Sequence, residues 1–105
     1  MEWDIPENEY LIQAFLTLKN RDDARRFLRD LLTEDEIKEF SRRLAAALML
    51  SEKRPYSSIV KATGLSSTTV ARVSKYLKRG NNGYKLVLAR LRHHPWPLRE
   101  EIGGG

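Results

Sequence analysis

The chain has 105 residues, of which 41% are hydrophobic, so it has apolar material for one modest core but not for two, and we expect a single domain over residues 1–105. It contains no cysteine, which excludes disulfides, thiolate metal sites and a cysteine nucleophile, and we expect neither metal ions nor other cofactors. The net charge of +5 is unevenly divided, with 6 Lys/Arg against 11 Asp/Glu in residues 1–40 and 13 against 3 in residues 41–105, which predicts a polyanionic partner for the second part.

The N-terminal segment MEWDIPENEY is acidic and lacks the basic and apolar regions of a signal peptide. No apolar run approaches the roughly 20 residues that a membrane helix needs, so we expect a cytoplasmic protein with no membrane partner. Apolar residues recur at intervals of three and four on both sides of a polar break at residues 19–22. This spacing predicts two short amphipathic helices, carried by Tyr10, Leu11, Ala14, Phe15 and Leu18 and then by Ala24, Phe27, Leu28, Leu31 and Leu32.

A third helix is predicted from about Glu34 to Ser51. Its start is marked by a capping box, in which the Thr33 hydroxyl caps the helix and the Glu36 carboxylate reaches back to the Thr33 amide. Pro55 cannot continue this helix. The stripe expected to be buried consists of Ile37, Phe40, Leu44, Ala47 and Leu48.

Three shorter helices follow. The first, from Tyr56 to Thr63, should bury Ile59 and Val60 and end where Gly64 adopts a left-handed conformation. Either Ser66 or Ser67 can cap the second, which runs to about Lys78. Gly80 and Gly83 supply turn conformations before the last helix, YKLVLARLRHH, with Leu86, Val87 and Leu91 inward. The fold class is therefore predicted to be all-α, with about six helices.

The arrangement over residues 56–78, two helices joined by a glycine-containing turn, is that of a helix-turn-helix. In such a unit the second helix enters the major groove of DNA. At about 100° per residue, one side of this helix is apolar, whereas Thr68, Arg72, Lys75 and Arg79 share the opposite side. No acidic residue occurs between Glu52 and Glu100. The sequence therefore predicts a DNA-binding protein whose partner is double-stranded DNA.

The residues expected to contact DNA have different roles. Ser66 and Ser67 serve equally well as simple helix caps, whereas Thr68 and Thr69 lie past the cap and are better candidates for reading bases. Arg72, one turn further in, can pair with guanine O6 and N7 or with phosphate. The complete predicted set is Ser66, Ser67, Thr68, Thr69, Arg72, Lys75, Lys78 and Arg79.

Three segments, LLTEDEIKEFSRRL, YSSIVKATGLSSTTVARVSKYL and GNNGYKLVLARL, resemble in order and spacing the tryptophan-repressor superfamily. Within it, they are most similar to the TrpR-like YerC/YecD group of bacterial transcriptional regulators. The resemblance covers residues 8–92. It implies an intertwined homodimer, with dimerisation helices at about 8–52 and 84–93, and a repressor that reads a palindromic operator.

Tryptophan repressors hold free tryptophan between two arginines, and the resemblance places these at Arg43 and Arg72, with Thr33 at the border of the same pocket. The tryptophan-responsive proteins have small residues where this chain has Val73 and Tyr76. We expect these two bulky side chains to fill the pocket, so that tryptophan is not the corepressor. The alternatives are a repressor that responds to tryptophan or another small molecule, and an Arg43 that only forms an ion pair with an acid of its own helix.

Two other classes of function remain as alternatives. An enzyme requires converging reactive groups, and the adjacent His93 and His94 near a helix end have no carboxylate close in sequence, so we expect no catalysis. A protein-interaction module could instead use the basic surface to bind an acidic protein. Trp3 and Trp96 have no assigned role, and a loose tail is expected at residues 95–105.

Overall fold

A computed structural model describes residues 1–92 of the chain, and all regular structure in that range is helical. The predicted all-α class with about six helices is therefore confirmed for these residues. The predictions for His93, His94, Trp96 and the tail at residues 95–105 lie outside the described range. The helices are α1 Pro6–Leu16, α2 Arg21–Leu31, α3 Glu34–Ser51, α4 Tyr56–Thr63, α5 Ser67–Arg79 and α6 Gly83–Leu91.

None of the helices within residues 1–92 combines the length and the apolar character that crossing a lipid bilayer requires. The described part of the chain divides into two compact units, residues 1–38 and the residues from 39 onward. We call them the N-terminal unit and the C-terminal unit.

The N-terminal unit contains α1 and α2, and neither helix has a fully buried residue. Their main ring contact joins Phe15 to Phe27, edge to face, with the ring centroids 5.5 Å apart. The polar break predicted between the two helices supplies the cap of α2, because the Asn20 side chain accepts a hydrogen bond of 2.9 Å from the Asp23 amide.

The predicted capping box is present at the start of α3. The Glu36 amide donates to Thr33 Oγ1 at 3.1 Å, and the Thr33 amide donates to Glu36 Oε1 at 2.9 Å. The predicted bounds of α3 are confirmed, but its predicted stripe is wrong at Phe40, which is 45% exposed. The reason is that α3 contributes to the core of the C-terminal unit with Ala46 and Ala47, beyond Phe40.

The core of the C-terminal unit is small and joins α3 to the two helices that follow it. Ala46, Ala47, Ile59 and Val70 are completely inaccessible to solvent. The side chains contributed by α3 are small, and those contributed by α4 and α5 are larger. Leu65 and Val73 complete this core.

The turn between α4 and α5 has the predicted geometry. Gly64 has a φ of +76°, in the left-handed region that glycine adopts without strain, and its amide donates to the Val60 carbonyl at 2.9 Å. The next residue, Leu65, is buried, and its amide donates to Thr63 Oγ1 at 3.2 Å. These two hydrogen bonds and the buried Leu65 side chain therefore fix the conformation of the turn between α4 and α5.

In the turn before α6, Asn82 has a φ of +63° and therefore lies in the left-handed region. Asparagine tolerates this region better than most residues. Gly80 has a different role, since a Cβ at that position would collide with the Tyr76 carbonyl oxygen, to which the Gly80 amide donates at 2.9 Å.

The inward face predicted for α6 is wrong for the core of the C-terminal unit. Tyr84 and Leu88 are the α6 residues that pack against this core, and they lie one turn apart. The predicted set is exposed, with Leu86 at 50%, Val87 at 43% and Leu91 at 40%. Leu86 and Val87 lie on other sides of α6, whereas Leu91 lies on the same side as Tyr84 and Leu88 but is not packed against the core.

A polar contact fixes α4 against α5. The Tyr56 hydroxyl, at the first residue of α4, donates to Ser74 Oγ in the middle of α5 over 2.5 Å. Ser74 is only 3% exposed, whereas Tyr56 is 44% exposed. The two ends of this hydrogen bond therefore differ in their access to water.

We expect Tyr56→Phe to lower the free energy of unfolding by about 1 kcal/mol or slightly more, because it removes the donor to a buried hydroxyl. Ser74→Ala should cost less, since the Tyr56 hydroxyl can bond to water, and adding it to Tyr56→Phe should recover stability. Urea unfolding of the three variants and the parent chain measures these differences. A larger loss for Ser74→Ala than for Tyr56→Phe would contradict this account.

Candidate nucleic-acid interface

The solvent side of α5 forms a continuous polar and cationic row. Thr68, Arg72, Lys75 and Arg79 are all exposed, and we refer to these four residues as the outer face of α5. The opposite side is buried, with Val70 at 0%, Val73 at 3%, Ser74 at 3% and Leu77 at 9% exposure. The helix thus separates a side that packs from a side that is free to meet a partner.

The first turn of α5 shows which hydroxyls are already used. The Thr69 amide donates to Ser66 Oγ at 3.1 Å, and the Ser66 hydroxyl donates to Thr69 Oγ1 at 3.0 Å. Ser66 is therefore the cap that the sequence left open between Ser66 and Ser67. Ser67 and Thr68 are exposed and begin the helix itself.

The charge around this surface has one sign. Residues 53–92 include ten Lys and Arg residues and no Asp or Glu. The ion pairs within residues 1–92 include Arg26, Arg43 and Arg54 but no cation of α5. Because carboxylates do not neutralise Lys75, Lys78 or Arg79 there, this part of the surface attracts anions.

Arg72 contacts an aromatic ring one turn further along its helix. Its Cζ atom lies 5.6 Å from the centroid of the Tyr76 ring, within the distance at which a guanidinium group and a ring attract each other. Tyr76 is 45% exposed. The ring of Tyr76, a side chain predicted to fill the ligand pocket, lies against Arg72, the second arginine of that pocket.

Arg43, the other arginine of the pocket implied by the resemblance, is held by its own helix. Its Nε donates to Glu39 Oε2 at 3.0 Å, and its Cζ lies 5.6 Å from the Phe40 ring centroid. This contact is the ion pair with an acid of the same helix that was the alternative interpretation of Arg43. Thr33 belongs to the capping box of α3, and Val73 is part of the core.

The C-terminal unit contains a cleft that the sequence did not predict. It has a volume of about 470 Å³ and is lined by residues of α3, α5 and α6, among them Leu48, Leu77, Leu88 and Lys85. Neither Arg43 nor Arg72 lines it. No group of three or more histidines and carboxylates able to hold a metal ion lies within residues 1–92.

Comparisons with known proteins agree with this architecture. A model of the family described as Trp repressor protein matches residues 7–92. The YerC protein of Bacillus subtilis strain 168, described as uncharacterized, is 37% identical over 86 residues, which are 82% of this chain and 83% of YerC.

Two solved structures are similar over most of their length. A TrpR-like protein from Eubacterium eligens is 42% identical with a TM-score of 0.80, and the match covers 85% of this chain and 92% of that one. A structure from Staphylococcus aureus, described as a "putative Trp repressor", is 34% identical with a TM-score of 0.81, covering 88% and 95% of the two chains. The resemblance drawn from the three sequence segments is thereby confirmed, including the similarity to YerC.

Proposed function

Because the chain belongs to the Trp repressor protein family, a family of regulators and not of enzymes, we propose that it is a transcriptional regulator that binds specific sequences of double-stranded DNA. In this proposal it acts as a repressor in the bacterial cytoplasm. Two copies read a palindromic operator through their helix-turn-helix units, and tryptophan is not required as corepressor.

The observation that carries this proposal is the outer face of α5. A row of exposed side chains with one hydroxyl and three cations stands on a helix whose other side is fixed in the core. Proteins gain affinity for DNA by neutralising phosphates, and they gain specificity by reaching base edges from a rigid element in the major groove. A rigid cationic helix within an acid-free segment meets both requirements.

Different parts of α5 have different roles in the proposal. A recognition helix contacts bases with its N-terminal part, while its far end rises toward the backbone. We assign base contacts to Thr68 and Arg72. The phosphate contacts fall to Lys75, Lys78 and Arg79, and Ser66, Ser67 and Thr69 form the helix start that lies closest to the DNA.

The homodimer in this proposal is supported by the apolar side chains that the N-terminal unit leaves exposed. Tyr10 is 79% exposed, Leu16 is 73% exposed and Leu31 is 45% exposed. Single exposed apolar side chains are common, but several exposed together on one short helix, as on α1, are typical of an interaction surface. A second copy that interlocks with these helices would bury them.

Independence from tryptophan is supported by the state of both arginines. Arg43 is held by Glu39 and Phe40, and Arg72 lies against Tyr76, so neither guanidinium group is without a contact. A ligand that recruited Arg43 would first have to displace its ion pair with Glu39. A ligand shifts a conformational equilibrium only through different affinities for the two states.

The direct test is selection of binding sites from random duplex DNA by the full chain. The proposal predicts enrichment of a palindrome whose half-sites lie about one helical turn apart, bound with an affinity that falls as the salt concentration rises. If no sequence is enriched while the chain captures an acidic protein, the protein-interaction module is the correct function.

We expect the chain to sediment at twice its mass of 12.2 kDa at micromolar concentration. Tyr10→Asp should shift this equilibrium toward the monomer, because it places a charge on the exposed apolar surface of α1. Gln13→Asp, which adds the same charge at an exposed polar position of α1, is the matched control and should leave the dimer intact. A folded parent chain that stays monomeric would rule out the dimer.

Arg72→Ala should lose about 1–3 kcal/mol per half-site on the selected operator and flatten the sequence preference. Lys75→Ala should weaken binding to all duplexes alike and reduce the salt slope by about one per half-site. Arg26→Ala, an exposed arginine of α2, is the control for charge and should do neither. Equal losses on operator and random DNA for both α5 variants, measured by fluorescence anisotropy, would refute the division of roles.

Operator affinity should be unchanged by millimolar L-tryptophan, and calorimetry of the free protein should show no saturable heat. The physical reason is that the Val73 side chain is packed in the core and Arg43 is paired with Glu39. A tenfold tightening by tryptophan, about 1.4 kcal/mol of coupling, would show instead that the pocket opens and that Arg43 and Arg72 bind the ligand.

A further inference from the structure

The position of Tyr76 on α5 is not explained by packing. Val73 and Leu77, on the buried side of the same helix, are 3% and 9% exposed. Tyr76 is 45% exposed and is not part of the core. A large aromatic side chain is thus kept at the edge of the outer face of α5. Its ring contact in the structure is with Arg72, four residues earlier.

The geometry of that contact leaves the hydrogen-bonding groups of Arg72 available. An aromatic ring attracts a guanidinium group through the ring face, and the five N–H donors of the guanidinium point outward in its own plane. Arg43 provides the contrast within the same chain, because its Nε–H is spent on Glu39 at 3.0 Å and its charge is neutralised there. Arg72 keeps its charge, and none of its N–H groups is bonded to a carboxylate within residues 1–92.

An exposed arginine normally samples many rotamers, and fixing one of them on a base edge costs conformational entropy. A ring at the position four residues later lies one helical turn away, where it can restrict those rotamers before any partner arrives. If the rotamers are restricted before binding, less conformational entropy is lost when the side chain binds. Tyr76 is placed to do this for Arg72 without occupying the donors that would read a base.

We infer that Tyr76 is a positioning residue that holds the Arg72 guanidinium in the orientation in which it contacts base edges. This inference rests on the proposed function. It assigns the attraction to the ring and not to the hydroxyl, so phenylalanine should replace tyrosine and leucine should not.

The test uses the full chain with four variants, Tyr76→Phe, Tyr76→Leu, Arg72→Ala and the double variant Tyr76→Leu/Arg72→Ala. Affinities are measured on the duplex selected by the parent chain and on a scrambled duplex at the same salt concentration. Tyr76→Leu should weaken binding to the selected duplex by about two- to fivefold per half-site and leave the scrambled duplex unchanged. Tyr76→Phe should match the parent chain, and the double variant should match Arg72→Ala.

A measurement on the free protein tests the contact itself. Proton NMR should show the Arg72 δ-methylene signals shifted upfield by the ring in the parent chain and in Tyr76→Phe, and near their random-coil positions in Tyr76→Leu. Thermal unfolding followed by circular dichroism checks that the variants fold. The absence of the upfield shift in the parent chain would overturn the inference.

The DNA results separate two kinds of failure. If the parent chain selects no duplex sequence, the proposed function fails and the inference fails with it. If the parent chain selects an operator but the losses from Tyr76→Leu and Arg72→Ala multiply, or Tyr76→Leu weakens both duplexes equally, only the role given to Tyr76 is overturned.

Discussion

The C-terminal unit depends on the small apolar core in which Ala46 and Ala47 of α3 meet side chains of α4 and α5. Both alanines are completely buried, as are Ile59 and Val70 opposite them in the same core. A larger side chain on α3 would push the two following helices outward, because tightly packed interiors leave no space for added atoms. The direction in which α5 presents its cations therefore depends on how the buried side of α5 packs into this core.

The parts of this fold that sequence could predict are those set by local chemistry. The capping box at Thr33 and Glu36, the left-handed Gly64 and the bounds of α3 follow from interactions within a few residues. The exposed positions of Phe40 and of Leu91 in α6 do not, because both depend on how far the core extends. Periodicity identifies a helix and its stripes but does not state which stripe finds a partner.

The candidate interface divides in the same way. The cationic row of α5 was predictable, since the apolar side of an amphipathic helix determines which residues face water. The contacts of individual arginines were not. Arg43 and Arg72 look equivalent in the sequence. In the structure, however, Arg43 forms an ion pair with Glu39, whereas Arg72 lies over the ring of Tyr76. The carboxylate four positions before Arg43 neutralises its charge, whereas the ring four positions after Arg72 leaves the charge of Arg72 unpaired within residues 1–92.

The three-residue turn between α4 and α5 has a consequence for how such chains diverge. Gly64 ends one helix, Leu65 fills the core and Ser66 caps the next helix, so each residue of the turn has a structural duty. Surface loops usually tolerate insertions and deletions during evolution, but a length change here would remove a side chain from the core or a cap from its helix. We therefore expect related chains to change their DNA preference by point substitutions on α5. The number of residues between α4 and α5 should stay the same.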